Sequence, residues 1–387
     1  MNISSVARKA TAIVVAMAAM GAVSTAYAQN SIFPTGWDNK VRDRLFMRFG
    51  YTQTFNKTKS EDARDITGPV ATRQQLADAF ELGRKISQAC NDDFDNPNNT
   101  LNGGTNFVAA DCYGYADGNN GYAYDAGGGG LLLAELDREH LGGLGTPPGI
   151  KAKTQKSVGT PTISLGYWLD DDYKWLVEAY VLAAPLKIKI YGDGYRDDGS
   201  PNSINGRHIA TTKMLPPLVI GSYNFGDRRS VVRPFVGVGA MYAIFFDART
   251  TSFFEEYQGG KTTLTTKNTF GFGPFVGVQS AINDDWHVNV SLGQVTLKAT
   301  STLVTSGTQI QSGAAVLSDY PAGIVNLINT GEGLWDQNRP DQPDQFTTKV
   351  MELVKRQRGT SDLGTYVREQ KMKITSTILS VSLGRSF

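Results

Sequence analysis

Beyond its N-terminus the 387-residue chain lacks any run of the ~20 apolar residues that a membrane-crossing helix needs. It also lacks net charge. Arg8 and Lys9 account for two of its 38 basic residues, and the remaining 36 face 37 acidic ones. That balance provides no bulk basic field, so nucleic acid is not an expected partner. Histidine is scarce, with only His140, His208 and His287. His208 follows Asp197 and Asp198 with no nucleophile at hand, and His287 follows Asp284 and Asp285. A histidine-assisted hydrolase needs nucleophile, base and orienting group within reach. No catalytic set is expected, and the chain does not read as an enzyme. Cysteine is limited to Cys90 and Cys112, with no histidine close in sequence. A metal site wants more ligands than that, so no metal and no other cofactor is expected.

What is present begins at the N-terminus. Arg8 and Lys9 precede an apolar run over 10–23, and Ala26-Tyr27-Ala28 is a small-x-small cleavage site. These are the three parts of a secretory signal over 1–28, with a mature start at Gln29. In an exported chain, Cys90 and Cys112 share one polar segment and are expected to form a disulfide.

Alternation is the next signal. From Lys373 the chain reads KITSTILSVSLGRSF. Thr377, Leu379, Val381, Leu383 and Phe387 share one parity, and Ser376, Ser380, Ser382, Gly384 and Ser386 the other. One face for lipid and one for a lumen is the pattern of a transmembrane β-strand. Seven further runs, at 45–55, 158–169, 173–191, 209–225, 231–247, 269–282 and 286–300, are each long enough to cross a bilayer as tilted strands of ~9–11 residues. The connections alternate without a break. Short polar turns at 170–172, 226–230 and 283–285 separate long segments at 56–157, 192–208, 248–268 and 301–371. Short periplasmic turns and long external loops are the habit of outer-membrane barrels. The expected fold is therefore all-β, an eight-stranded antiparallel transmembrane barrel over 45–387. It follows a periplasmic segment at 29–44, and both termini are periplasmic. Aromatics such as Trp168, Trp175, Tyr223 and Trp286 fall where an interfacial girdle belongs.

Inside the long loops, 72–89 and 347–358 carry helical periodicity. The second has a basic face of Lys349, Lys355, Arg356 and Arg358. It reads first as a solvated face and second as a contact for lipopolysaccharide phosphates.

Parity also assigns the lumen. Arg48, Glu178, Asn224, Arg233, His287, Asn289 and Ser382 face inward near the turn end. Tyr180, Leu182, Met214, Leu218, Ile220, Met241, Phe245, Ile374 and Ile378 face inward toward the loop end. Eight strands leave a bore that side chains can fill, and a buried charge must be paired. Arg48, Glu178 and Arg233 are thus expected to form a polar plug, with Glu178 bonded to Arg48 or to Arg233. Above it lies an apolar ligand path. Pro185, Pro216 and Pro217 fall within strands, where each removes a ladder hydrogen bond. They mark either a lateral exit or a plain bend in the wall.

Several stretches carry a family likeness. Pro161-Thr162-Ile163-Ser164-Leu165-Gly166-Tyr167, the run 177–187 ending Ala-Ala-Pro-Leu-Lys, and Leu215-Pro216-Pro217 resemble the OmpW family. So do Arg233-Pro234-Phe235-Val236-Gly237-Val238-Gly239 and, after Tyr242, Phe245-Phe246-Asp247. The chain departs from the pattern in its enlarged first and fourth external loops. The resemblance implies an eight-stranded outer-membrane barrel, and through the AlkL branch a passive channel for small hydrophobic molecules. The expected partners are outer-membrane lipid, lipopolysaccharide and small hydrophobic solutes. The alternative is a structural, receptor or adhesion protein acting through its large external loops.

Overall fold

The computed structural model describes residues 43–94, 128–228, 230–311, 313–329 and 346–387. The signal-peptide reading of 1–28, the segment 29–42, Cys112 and the side chain of Cys90 lie outside them.

In chain order the strands are β1 (Leu45–Ser60), β2 (Arg64–Asp65), β3 (Ala71–Thr72), β4 (Gly143–Leu144) and β5 (Lys151–Thr154). Next come β6 (Ser157–Trp168), β7 (Trp175–Leu182), β8 (Leu186–Asp193), β9 (His208–Leu215) and β10 (Leu218–Asn224). The last are β11 (Arg233–Thr250), β12 (Lys261–Thr266), β13 (Thr269–Ala281), β14 (Trp286–Ser306) and β15 (Tyr366–Ser386). The helices are α1 (Arg73–Phe94), α2 (Gly128–Arg138), α3 (Ser252–Gln258), α4 (Ala322–Asn329) and α5 (Phe346–Arg358).

The wall is an antiparallel ring. β1 pairs with β15, β15 with β14, β14 with β13, and β13 with β11. β11 then pairs with β10, β10 with β7, β7 with β6, and β6 with β1. Closure leaves no open edge, which a sheet in lipid cannot afford because hydrocarbon offers no partner to a bare N–H or C=O. The alternation read from the sequence sets the faces. In β15 the even positions from Met372 to Ser382 are buried, while Leu379, Val381 and Leu383 point outward. Phe49, Ile163, Leu165, Val177, Val219, Val238, Phe272, Val276, Val290 and Leu292 extend the same exposed apolar surface around the wall.

Two expected strands are interrupted. The run 173–191 becomes β7 and β8 on either side of 183–185, and 209–225 becomes β9 and β10 on either side of Pro216-Pro217. Beyond these breaks β5 pairs with β8, β8 with β9, and β9 with β11, so the wall continues. Other strands run further than expected: β1 to Ser60, β14 to Ser306, and β15 from Tyr366. In these extensions (NKTKS, STLVTS, YVREQK) polar residues fall on both parities. The lipid-against-lumen contrast fades there although backbone pairing continues.

The short turns are built by side chains that replace backbone partners. Asp170 Oδ1 accepts from the Lys174 and Trp175 amides at 3.0 and 2.7 Å. Asn283 Oδ1 accepts from the Asp285 and Trp286 amides at 3.0 and 2.8 Å. Rings cluster at this end, with Trp175, Tyr223 and Phe225 in edge contacts of 5.0 and 5.1 Å.

At the opposite end the long segments fold into a cap with its own core. α1 packs on α5 and α2, and α4 packs on α2 and α5. The expected helices at 72–89 and 347–358 are α1 and α5. α2, α3 and α4 were not foreseen, being short and, in α2, led by glycines that carry no periodicity. Arg358 is half-buried. It donates to the carbonyls of Leu363 and Val70 at 2.8 and 2.7 Å and so ties α5 to the first loop.

Asp319 is the hub of the cap. Its carboxylate pairs with Arg196 at 3.0 Å and accepts from Ser203 Oγ and the Ser203 amide at 2.8 Å each and from Tyr257 OH at 2.8 Å. Burial, reinforced by the Asp319 charge, holds the Tyr257 phenol well above its usual pKa, so it remains a donor. The Gly145 amide donates to Tyr320 OH at 2.6 Å, adding the first loop to this knot.

Two outcomes follow. Val381 faces outward between Tyr51 and Val290. Val381→Arg should cost ~2–4 kcal/mol in reversible urea unfolding from lipid vesicles, and Ser380→Thr far less. Equal stability of Val381→Arg and the parent would overturn the facing. Asp319→Ala strands Arg196 at the junction of three loops. It should loosen the cap by about 3 kcal/mol, the low end for breaking a buried pair because Arg196 is partly wet. Hydrogen exchange should then speed up in 196–205 and 315–328 but not in β15; unchanged exchange in the loops would remove Asp319 as the hub.

Candidate functional site

The lumen divides into a closed lower part and a hollow upper part. The lower part is organised around Arg48 on β1, which is 1 % exposed. Its Nη1 pairs with Glu178 of β7, its Nε donates to His287 Nε2 of β14 at 3.0 Å, and its Nη2 donates to Gln279 Oε1 of β13 at 2.9 Å. Ser164 Oγ donates to the other Glu178 oxygen at 2.5 Å. The guanidinium also lies 4.3 Å from the Phe46 ring centroid. Four strands thus converge on one cation, and each side of the guanidinium is occupied. Gly384 makes the space: a Cβ there would fall 2.2 Å from His287 Nε2. Gly166 likewise admits the Phe46 ring, which a Cβ would meet at 2.0 Å.

Arg233 does not join this network. It donates to the Tyr173 carbonyl and lies 4.9 Å over the Trp168 ring. The register explains the difference. Glu178 is level with Ile220 of β10, and Ile220 with Gly239 of β11, far along the strand from Arg233. Of the expected plug residues, Arg48 and Glu178 form the pair, while Arg233 closes the turn end separately. Gln279 was missed. The outward apolar set Phe270, Phe272, Val276 and Val278 leaves Gln279 on the inward parity, and that signal was present in the sequence.

Above the plug lies a cavity of about 70 Å³. Tyr180, Leu182, Met214, Leu218, Ile220, Met241, Phe245 and Ile378, the whole of the expected ligand path, line it. Leu186, Ile188, Phe275 and Leu297 complete its apolar side. The opposite wall differs from expectation. Thr52 bonds Thr162 at 3.2 Å and Ser380 at 3.1 Å, and Ser376 donates to Asn56 at 2.8 Å. The lumen is therefore split side to side as well as end to end, with a stripe of mutually satisfied hydroxyls facing a hydrocarbon wall. The cavity is smaller than the ~150 Å³ dry pocket that accepts a benzene.

The prolines lie where the wall loses its ladder. Tyr180 pairs with Leu218 and Leu186 with Met214, but nothing between them is paired across these two strands. Residues 181–185 on one strand face 215–217 on the other. Ala183 turns its amide to the Pro161 carbonyl instead, at 3.1 Å, and the Tyr242 amide takes the Pro217 carbonyl at 3.0 Å. Pro216 is buried and lines the cavity, whereas Ala183, Ala184 and Pro185 are exposed on the outside. One patch of wall, without bonds between its two facing strands and with Ala183, Ala184 and Pro185 on its outer side, separates the cavity from lipid.

The histidines gather no catalytic set among the described residues. His287 serves the plug, and His208 Nε2 contacts Thr211 Oγ1 at 2.9 Å.

The OmpW family model matches residues 142–316. Outer membrane protein W of Vibrio cholerae serotype O1 is 32% identical over 145 residues, covering 36% of this chain and 59% of that protein. Outer membrane protein W of Escherichia coli K12 is 37% identical over 101 residues, 26% of this chain and 47% of that protein. The chain thus spans about half the length of the curated relatives it matches. Among solved structures, the outer membrane protein OprG from Pseudomonas aeruginosa aligns with a TM-score of 0.46 at 12% identity, over 89% of this chain and 96% of that one. The matched segment runs from β4 through β14 and contains the plug residue Glu178, the window prolines and most of the apolar lining. Over that segment the chain matches the OmpW family model, and the curated relatives it is similar to are outer membrane proteins.

Proposed function

We propose that this outer-membrane barrel is a passive channel for small hydrophobic molecules, which occupy the apolar upper lumen and leave sideways into the bilayer. The observation that carries this reading is the unpaired stretch between 181–185 and 215–217, level with the apolar cavity and above a plug that fills the bore. An apolar solute gains nothing by crossing the Arg48–Glu178 network, because displacing its bonds exposes a buried charge. Sideways, the wall at 181–185 and 215–217 lacks bonds between its two strands. In this reading both termini are periplasmic, the cap faces outward toward lipopolysaccharide, and the path is Tyr180, Leu182, Met214, Leu218, Ile220, Met241, Phe245 and Ile378, with Pro185, Pro216 and Pro217 at the exit.

A second reading, a receptor or structural protein acting through its external loops, draws support from the cap. Its four loops are tied through Asp319 and Tyr320, more structure than a simple pore needs. Vesicle uptake of a neutral alkane by the full chain and by a cap-deleted chain separates the two. The channel reading requires uptake above protein-free vesicles in both.

Replacing Pro185, Pro216 and Pro217 together by Val restores ladder donors. It should lower alkane uptake several-fold while the barrel still folds; uptake equal to the parent would remove the lateral exit. Glu178→Ala leaves Arg48 buried without its counter-charge and should cost ~3–5 kcal/mol of stability. Alkane uptake should not rise in that variant, and a rise would favour an axial path.

A further inference from the structure

The apolar column does not end at the lumen cavity. A second space of about 40 Å³ lies above it, bounded by α3, β5, β8, β9, β12, β14 and β15. Ile190, Ser301 and Met372 border both spaces, so the two are stacked. Most of the upper lining is apolar, including Ile204, Ile209, Phe254, Leu264 and Leu303. Lys151, Ser301 and Gln370 also reach it, as do the deeply buried Arg368 and Gln258. Arg368 is 2 % exposed and Gln258 is fully buried.

Among the described residues, both hold donors without a partner. Arg368 gives one Nη to Thr305 Oγ1 at 3.1 Å and rests 4.6 Å over the Tyr366 ring, but its Nε has no hydrogen-bond partner. Among the described residues no carboxylate lies within ion-pair distance of it. The acids of this region are engaged elsewhere: Asp319 with Arg196, Ser203 and Tyr257, and Asp65 with the Thr146 amide and hydroxyl. Gln258 accepts from Tyr366 OH at 3.0 Å, which fixes the amide and leaves its Nε2 donors unused. A buried guanidinium with no counter-ion is costly, and buried donors without partners are rare in native proteins. The Arg48 network in the same barrel is by contrast fully satisfied.

From these observations we infer that the upper space is a head-group site for the carboxylate of a slender amphiphile, whose alkyl tail runs down the column past Met372 into the lumen. Lys151 is already paired with Asp62, which leaves Arg368 as the unpaired cation among the described residues of the lining, and the site holds two free donor groups against a carboxylate's two oxygens. The volume of the space, about 40 Å³, exceeds the ~10–15 Å³ that one water needs by the same measure, which is room for one small head group. From Arg368 to Ile378 on β15 the strand covers roughly 33 Å at 3.3 Å per residue, enough for a medium-length chain. The inference deepens the channel reading and rests on it for the tail's path, but the head site depends only on Arg368 and Gln258.

The test is equilibrium binding of dodecanoate, its methyl ester and dodecane to the full chain in lipid nanodiscs. The carboxylate should bind at least tenfold more tightly than the ester, about 1.4 kcal/mol. Arg368→Met should erase that preference and leave ester and dodecane binding unchanged. Arg368→Lys, which keeps the charge, should restore part of it and covers the case in which the methionine variant does not fold. Equal binding of acid and ester to the parent, or a preference that survives Arg368→Met, would overturn the site. Alkane uptake is read separately. If it fails while the Arg368-dependent preference holds, the channel reading falls and the head site stands.

Discussion

The antiparallel ring encloses a bore that side chains nearly fill, so a charge placed inside must find its partner inside. Arg48 meets this demand by collecting Glu178, His287 and Gln279 from three other strands, with Phe46 beneath the guanidinium. The network fixes the register between distant parts of the wall, because a slip by one residue would turn each of these groups to the other face. It also stops the bore. The space above it is a blind chamber, and in the channel reading we propose the wall beside that chamber must supply the exit.

The wall has one place suited to that task. A closed barrel normally satisfies each backbone group by its neighbours, and here the rule is relaxed only locally. Pro216 and Pro217 bring no amide hydrogens, and the facing segment inserts extra residues, so the two strands separate and rejoin at Leu186 and Met214. The Ala183 and Tyr242 amides find carbonyls on their other sides, which limits the cost of the break. Above the chamber, the cap ties four loops through Asp319 and Tyr320, and its buried side chains form one continuous core with the upper lumen. The molecule is thus sealed below, roofed above and thinnest at the side.

Much of this was legible in the sequence, because lipid enforces a strict alternation that survives without any tertiary information. The outward set Leu379, Val381 and Leu383, the inward facing of Arg48 and Glu178, and the apolar path from Tyr180 to Ile378 followed from parity alone, whereas parity left the partner of Glu178 open between Arg48 and Arg233. The prolines were visible as breaks, though not the mismatch in length between the two segments that makes the break a gap. Arg233 was misplaced because parity gives the face of a residue but not its height relative to strands two positions away. The cap was the least legible. Its helices are short and lean on one another across long separations in sequence, so no local period announces α2 or α4. The same holds for Arg368, whose significance lies in what does not surround it.

The central claim is that apolar molecules leave the chamber through the wall and not along the axis. A photoreactive alkane carrying a diazirine, equilibrated with the barrel in vesicles and activated by light, tests it directly when the labelled residues are mapped by mass spectrometry. The account predicts labels on Leu182, Met214 and Pro216 within the chamber and on Ala183 and Ala184 at its outer side. Labels running instead down to Gln279, Asn289 and Arg48, with Ala183 and Ala184 untouched, would contradict it.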